Sequence, residues 1–235
     1  MKEREAGILR TVVREYIDSG VPVSSKFLYD NYDFGIKPAS IRFVLNFLED
    51  GGWLSQPYTS GGRIPTDKAY EFLVKNLKND ISLVPVRSKT FSELAQTFLA
   101  GEVEDFLEKL SDEIHTLSVS FSISEGRAFK SGFAKLFQGL DEETASIFQD
   151  IASDFETLDN HIFECAHGLQ SVKRHGPEIV IGKKSPFMKN KHLTTVFDLL
   201  DVRGNEFLLI AIGPKRMDYE KNYKTFLGIR NALGQ

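Results

Sequence analysis

Trp53-Leu54-Ser55-Gln56-Pro57-Tyr58-Thr59-Ser60-Gly61-Gly62-Arg63-Ile64-Pro65-Thr66 is the stretch that decides the fold of the first domain. Ser60-Gly61-Gly62 supplies a tight turn between two short extended runs, and Pro65, with no N–H to give to a ladder, cuts the second run short. A β-hairpin is predicted. Upstream, Ile8, Leu9, Val12, Val13, Tyr16 and Ile17 recur at helical spacing from about Glu5 and stop at Ser19-Gly20. Ser24 and Ser25 then offer hydroxyls to the open N–H groups of a shorter helix running through Phe27 and Leu28 to about Tyr32. After a turn at Gly35, Pro38 sits where a first helical residue belongs, and Ile41, Val44, Leu45 and Leu48 mark one face of a third helix ending at Gly51-Gly52. Downstream of the hairpin, Thr66 and Asp67 cap a fourth helix carrying Tyr70, Phe72, Leu73 and Leu77. Three short helices followed by a hairpin predict a winged helix-turn-helix, in which the third helix enters the major groove and the wing reaches backbone or minor groove.

The 235 residues suffice for two domains, each with its own core. The net charge of −4 opposes binding to phosphate, but it is unevenly spread. Residues 1–78 hold eleven Lys and Arg against ten Asp and Glu, which leaves 18 basic and 23 acidic residues in the remainder. The N-terminal part is therefore the less repelled by DNA. No apolar run approaches membrane-spanning length and the N-terminus lacks the pattern of a signal peptide, so a cytoplasmic protein without a membrane partner is expected. The single Cys165 excludes an internal disulfide framework and fits a reducing compartment.

Four blocks carry a more specific resemblance: Pro22-Val23-Ser24-Ser25-Lys26, Pro38-Ala39-Ser40-Ile41-Arg42, Leu48-Glu49-Asp50-Gly51-Gly52 and Thr59-Ser60-Gly61-Gly62-Arg63-Ile64-Pro65-Thr66-Asp67-Lys68-Ala69-Tyr70. Over about residues 3–78 the chain resembles the N-terminal domain of the HrcA family of heat-inducible transcription repressors. Gly213-Pro214-Lys215-Arg216-Met217-Asp218-Tyr219 resembles that family's C-terminal signature. The resemblance implies a homodimer on an inverted-repeat operator in double-stranded DNA upstream of chaperone genes. It further implies repression released on heat stress, with a GroE-type chaperonin promoting the active fold. It implies no enzyme. The chain departs from the family pattern at Lys37, where Ser or a similar cap is usual, at Phe43, where Asn is usual, and at Tyr58, where His is common.

The candidate DNA-binding residues are Ser24, Lys26, Lys37, Ser40, Arg42, Phe43, Asn46, Tyr58, Thr59, Ser60 and Arg63. Arg42 would meet a base or phosphate from the third helix, and Arg63 a phosphate or the minor groove from the wing; for both the alternative is a salt bridge to Glu49 or a neighbouring carboxylate. Ser40, Asn46, Thr59 and Ser60 can donate to phosphate or bases, although Ser40 also suits a cap and Ser60 a turn. Phe43 and Phe47 lie off the third helix's apolar stripe, and either pack on a neighbouring element or meet thymine methyl groups. Apolar docking of another protein on the wing, Phe43 and Phe47 is the alternative function.

Beyond the linker at Pro85 and Arg87-Ser88-Lys89-Thr90, helical spacing resumes at Phe91, Leu94, Ala95, Phe98 and Leu99, breaks at Gly101, and continues from Val103 through Phe106, Leu107, Leu110, Ile114 and Leu117. These helices form a candidate dimer surface. A further helix is expected from Asp141 to about His167, and strands at 178–182, 193–200 and 206–213, with a last helix after Pro214. The expected organisation is α+β: a winged-helix domain at 1–84, a helical linker and dimerisation region at 85–124, and a reduced GAF-like domain at 125–235. Relatives carry an inserted dimerisation domain and further strands before the segment like Lys130-Ser131-Gly132-Phe133; residues 118–124 run almost directly into that segment, so a short form with a reduced sheet is expected. His161, Cys165 and His167 are too few for a tetrahedral zinc set, Gly182-Lys183-Lys184-Ser185 lacks the upstream glycine of a phosphate loop, and no cofactor or metal is expected. Lys215, Arg216 and Asp218 are read as an ion-pair turn joining strand to helix, with a ligand site as the alternative.

Overall fold

The helix α1 spans Glu3–Ser19 and ends at Gly20, whose φ of 68° gives the left-handed turn that a glycine adopts without strain. The computed structural model describes residues 1–58, 61–81, 88–138, 145–169 and 176–235, and these fall into two units, Met1–Lys78 and Asn79–Gln235. In the first unit α2 is Ser25–Asn31, with the Ser24 hydroxyl accepting from the Phe27 N–H. The third helix, α3, is Pro38–Asp50, opened by its proline. Ile8, Leu9 and Val12 of α1 pack into one core with Leu28, Ile41, Leu45, Leu48 and Leu54, all essentially without solvent exposure. Each such side chain contributes roughly 2 kcal/mol on burial. Val44, expected on this face, is only half-buried.

The hairpin reduces to two-residue strands, β1 (Leu54–Ser55) and β2 (Ile64–Pro65), paired antiparallel with Leu54 opposite Pro65. A contact absent from the sequence reading extends it: Val23 and Arg63 exchange both backbone hydrogen bonds, at 2.9 and 2.8 Å. Gly62 permits this approach, because a Cβ there would overlap the backbone of Pro22 and Val23. Helix α4 (Asp67–Ile81) follows. The Thr66 hydroxyl donates to the carbonyls of Gly52 and Trp53, which fastens the start of α4 to the turn after α3.

In the second unit α5 is Lys89–Leu99 and α6 is Val103–Ile114. Lys89 and Thr90, expected in the linker, thus belong to a helix, whereas Pro85 and Arg87 lie outside the described residues. The helical reading through Leu117 runs too far. His115 takes a left-handed conformation (φ 53°) and stops α6, and Leu117–Ser122 form a strand, β3. A second unforeseen strand, β4 (Arg127–Ser131), precedes α7 (Phe133–Gln138). Then come α8 (Ala145–Leu169), β5 (Glu178–Ile181), β6 (Leu193–Val202), β7 (Asn205–Pro214) and α9 (Tyr219–Ala232). The sheet is antiparallel throughout, in the order β4-β3-β7-β6-β5. The three strands expected from the sequence are joined by two that it did not reveal: β3 lies inside the sheet and pairs with both β4 and β7.

Both faces of this sheet are covered. Leu117, Val119 and Phe121 point to one side with Ile210 and Ile212, against Leu136 of α7 and Ile151, Leu158 and Ile162 of α8. Ser118, Ser120 and Ser122 point to the other, where their small side chains leave room for α6. There α5 packs on α9, and the Phe98 ring meets Phe207 edge-on at 5.1 Å. Phe98, Phe106, Leu107 and Leu110, offered above as a dimer surface, are therefore buried within one chain. The antiparallel sheet and its helices make the chain α+β. Among the described residues no helix is long and apolar enough to cross a membrane.

Candidate nucleic-acid interface

One face of α3 is given to the core by Ile41, Leu45 and Leu48, and the helical period sends Ala39, Arg42, Phe43, Asn46, Phe47 and Asp50 to the opposite face, where all are exposed. Phe43 is 75% exposed and Phe47 46%. Both rings are thus left accessible to solvent, Phe43 the more so. Arg42 is also exposed, and no ion pair to Glu49 takes it. Lys37 and Ser40 lie exposed at the start of the same helix. The Lys37 side chain forms no cap, so its ammonium remains outside the helix.

Arg63 differs from that picture. Its Nε lies 2.8 Å from the Glu49 carboxylate, off the N–H axis, and its Nη2 donates to Asn46 Oδ1 at 2.9 Å. The side chain is only 14% exposed. Here the salt-bridge alternative is the one present, and its effect is to tie the second hairpin strand to α3. Ser24 spends its acceptor on capping α2 but keeps an O–H to donate, and Lys26 beside it is exposed. Tyr58 is 66% exposed at the hairpin, where its carbonyl accepts from the Gly61 N–H. Thr59 and Ser60 lie outside the described residues.

The remaining clusters have structural partners. His161 Nδ1 is 3.2 Å from the Phe187 carbonyl and Cys165 Sγ 3.5 Å from that of Pro186, so both face the same loop. Burial pushes the Cys165 thiol above its ordinary range, which disfavours the thiolate a metal would need. The His167 side chain lies outside the described residues. Asp218 caps α9 by accepting from the Lys221 N–H, and the Tyr219 hydroxyl donates to the Lys215 carbonyl. That segment joins β7 to α9.

The geometry defines a class: an α+β protein whose N-terminal unit offers one exposed helical face, braced by a short hairpin. Residues 66–222 match the family model described as HrcA protein C terminal domain, and the chain belongs to the HrcA family. It is 38% identical over 109 residues to the heat-inducible transcription repressor HrcA of Kineococcus radiotolerans, covering 46% of this chain and 30% of that one. To the repressor of the same name from Alkaliphilus metalliredigens it is 31% identical over 172 residues, covering 73% of this chain and 50% of the relative. The chain thus spans half or less of the length of these relatives. A solved crystal structure of a hypothetical protein shares the fold, with a TM-score of 0.75 at 16% identity over 99% of this chain and 97% of the other.

Proposed function

We propose that the chain is a DNA-binding transcriptional repressor of heat-shock genes, and that its first unit is a winged helix-turn-helix module. The observation that carries this reading is the exposed face of α3, where Arg42, Phe43, Asn46 and Phe47 stand in line beside the hairpin. An α-helix of this width fits the major groove, where Arg42 can reach guanine or phosphate and the two phenyl rings can meet thymine methyl groups. Lys37, Lys26, Ser24 and Ser40 are assigned to phosphate oxygens, and Tyr58, Thr59 and Ser60 to the backbone or minor groove at the wing. Two copies would grip the two halves of an inverted repeat, because the symmetry of a homodimer is mirrored in its operator. The apolar faces of α5 and α6 are buried within one chain, so such a dimer would need other surfaces. The second unit is read as the GAF-like domain, a GroE-type chaperonin as the agent that restores the active fold after heat releases the operator, and the compartment as the cytoplasm. No enzymatic role is assigned.

The exposed aromatic residues also favour a second reading, in which Phe43, Phe47 and Tyr58 dock another protein and DNA is not bound. Salt separates the two. Phosphate contacts release counterions and give a steep salt dependence, whereas apolar docking is nearly insensitive to salt. The test is binding of the full chain to a duplex carrying the inverted repeat and to a scrambled duplex, each at two salt concentrations. Selective, salt-sensitive binding supports the repressor; no binding to either duplex by folded protein removes it. In the Arg42→Ala variant the operator affinity should fall by about 1–3 kcal/mol with a relaxed base preference at one position per half-site. Unchanged affinity would remove Arg42 from the contact set.

A further inference from the structure

We infer that Arg63 is a positioning residue rather than a DNA contact, and that it fixes Asn46 to offer its NH2 group to an acceptor edge, guanine before adenine. The inference rests on the DNA-binding reading above. Arg63 is held from three directions: its backbone pairs with Val23, its Nη2 with Asn46 Oδ1, and its Nε with Glu49. Asn46 and Glu49 are three residues apart on α3, so one guanidinium spans one edge of that helix. An arginine destined for phosphate would extend into solvent, as Arg42 does, but the Arg63 side chain is 14% exposed.

The consequence for Asn46 follows from the chemistry of the guanidinium, which carries only donors. The amide must therefore turn its oxygen toward Arg63, which leaves Nδ2 to face an incoming base. Bidentate recognition of adenine needs the amide oxygen and nitrogen side by side, the oxygen accepting from N6 and the nitrogen donating to N7. With the oxygen turned toward Arg63 and one of its two lone pairs taken there, that side-by-side arrangement is disfavoured. Guanine, with O6 and N7 both acceptors, suits an amide that presents only its two N–H groups.

Selection of duplexes from a randomised pool by the full chain, followed by affinities on single-base variants, tests the assignment. The Asn46→Ala variant should lose discrimination at one base pair per half-site, and wild type should prefer guanine there. Freeing the amide in Arg63→Ala should cut the guanine-over-adenine ratio at that same pair by about tenfold, with the slope of log affinity against log salt unchanged. A preference for adenine in the wild type, or a slope reduced by about one in Arg63→Ala, overturns the inference, the latter because it marks a phosphate contact. Equal weakening on all sequences also overturns it, since a purely structural arginine would do that.

A second arm needs no DNA. In a double-mutant cycle of Arg63→Ala with Asn46→Ala, the denaturation midpoint should fall by less than the sum of the single changes, and strict additivity overturns the lock. Failure of wild type to bind any duplex would sink the DNA-binding reading and the base assignment together, while the cycle still reports on the lock alone.

Discussion

Gly62 shows how much a single missing side chain can decide. The hairpin reaches Val23 only because no Cβ stands between its backbone and that of Pro22 and Val23. Gly62→Ala must push this contact apart, and the neighbour is backbone, which cannot swing aside as a long side chain would. The expected loss is about 1–3 kcal/mol, read as a lower midpoint in chemical denaturation. Operator affinity should fall with it, because Arg63 follows directly and its grip on α3 depends on where the strand runs. A variant with wild-type stability would mean that the hairpin shifts without penalty. Arg63 itself makes the complementary point. Its place in the sequence, at the predicted wing, suits a DNA contact, but its environment is a carboxylate and an amide from α3.

Among the elements, α9 is held by more than apolar packing. Gly228 leaves space for the Phe91 ring of α5, and two residues further along α9 Arg230 pairs with Asp198 of β6 at 2.8 Å. Asp198 has no solvent exposure, so its charge depends on that partner and on the Leu199 N–H, from which it accepts at 2.9 Å. Removing Asp198 leaves Arg230, largely buried, without that carboxylate beside it, while its guanidinium donates to the Leu199 carbonyl at 3.2 Å. Asp198→Ala should destabilise the second unit by about 3 kcal/mol, measured by denaturation of the full chain, with operator contacts from α3 unaltered. An unchanged midpoint would show that Arg230 finds adequate solvation once the carboxylate has gone.

The whole molecule is two units with separate cores. Residues 1–81, which complete α4, contain their own buried set from Ile8 to Leu77 and should fold without the rest. A domain of this size has a stability of about 4–12 kcal/mol, so a modest rise in temperature can empty the folded state. The fragment should melt in one cooperative transition and keep the base preference of the full chain at reduced affinity, since one chain reaches one half-site. A fragment without a cooperative melt would mean that the first unit needs the second. If it melts far above heat-shock temperatures, unfolding of this unit is not what releases the operator.

Local pattern fixed the elements whose signal is repeated many times along the chain. The stripes of α1 and α3, the capping Ser24, the opening Pro38 and the strong strands β6 and β7 were all legible, because burial of one face imposes a period and helix ends need particular residues. The exposed set on α3 followed from the same period. Strand β3 was not legible: Leu117 lies three residues after Ile114 and continues the helical count, and only His115 in a left-handed conformation breaks it. Nor could periodicity tell that the apolar faces of α5 and α6 are covered by their own chain and not by a second copy, since a buried face looks alike in either setting. The partnership of Arg63 with Asn46 and Glu49 belonged to tertiary structure entirely. Residues 17 and 14 positions apart meet only after the hairpin folds back on α3, and which charge satisfies which is then settled by distance in space.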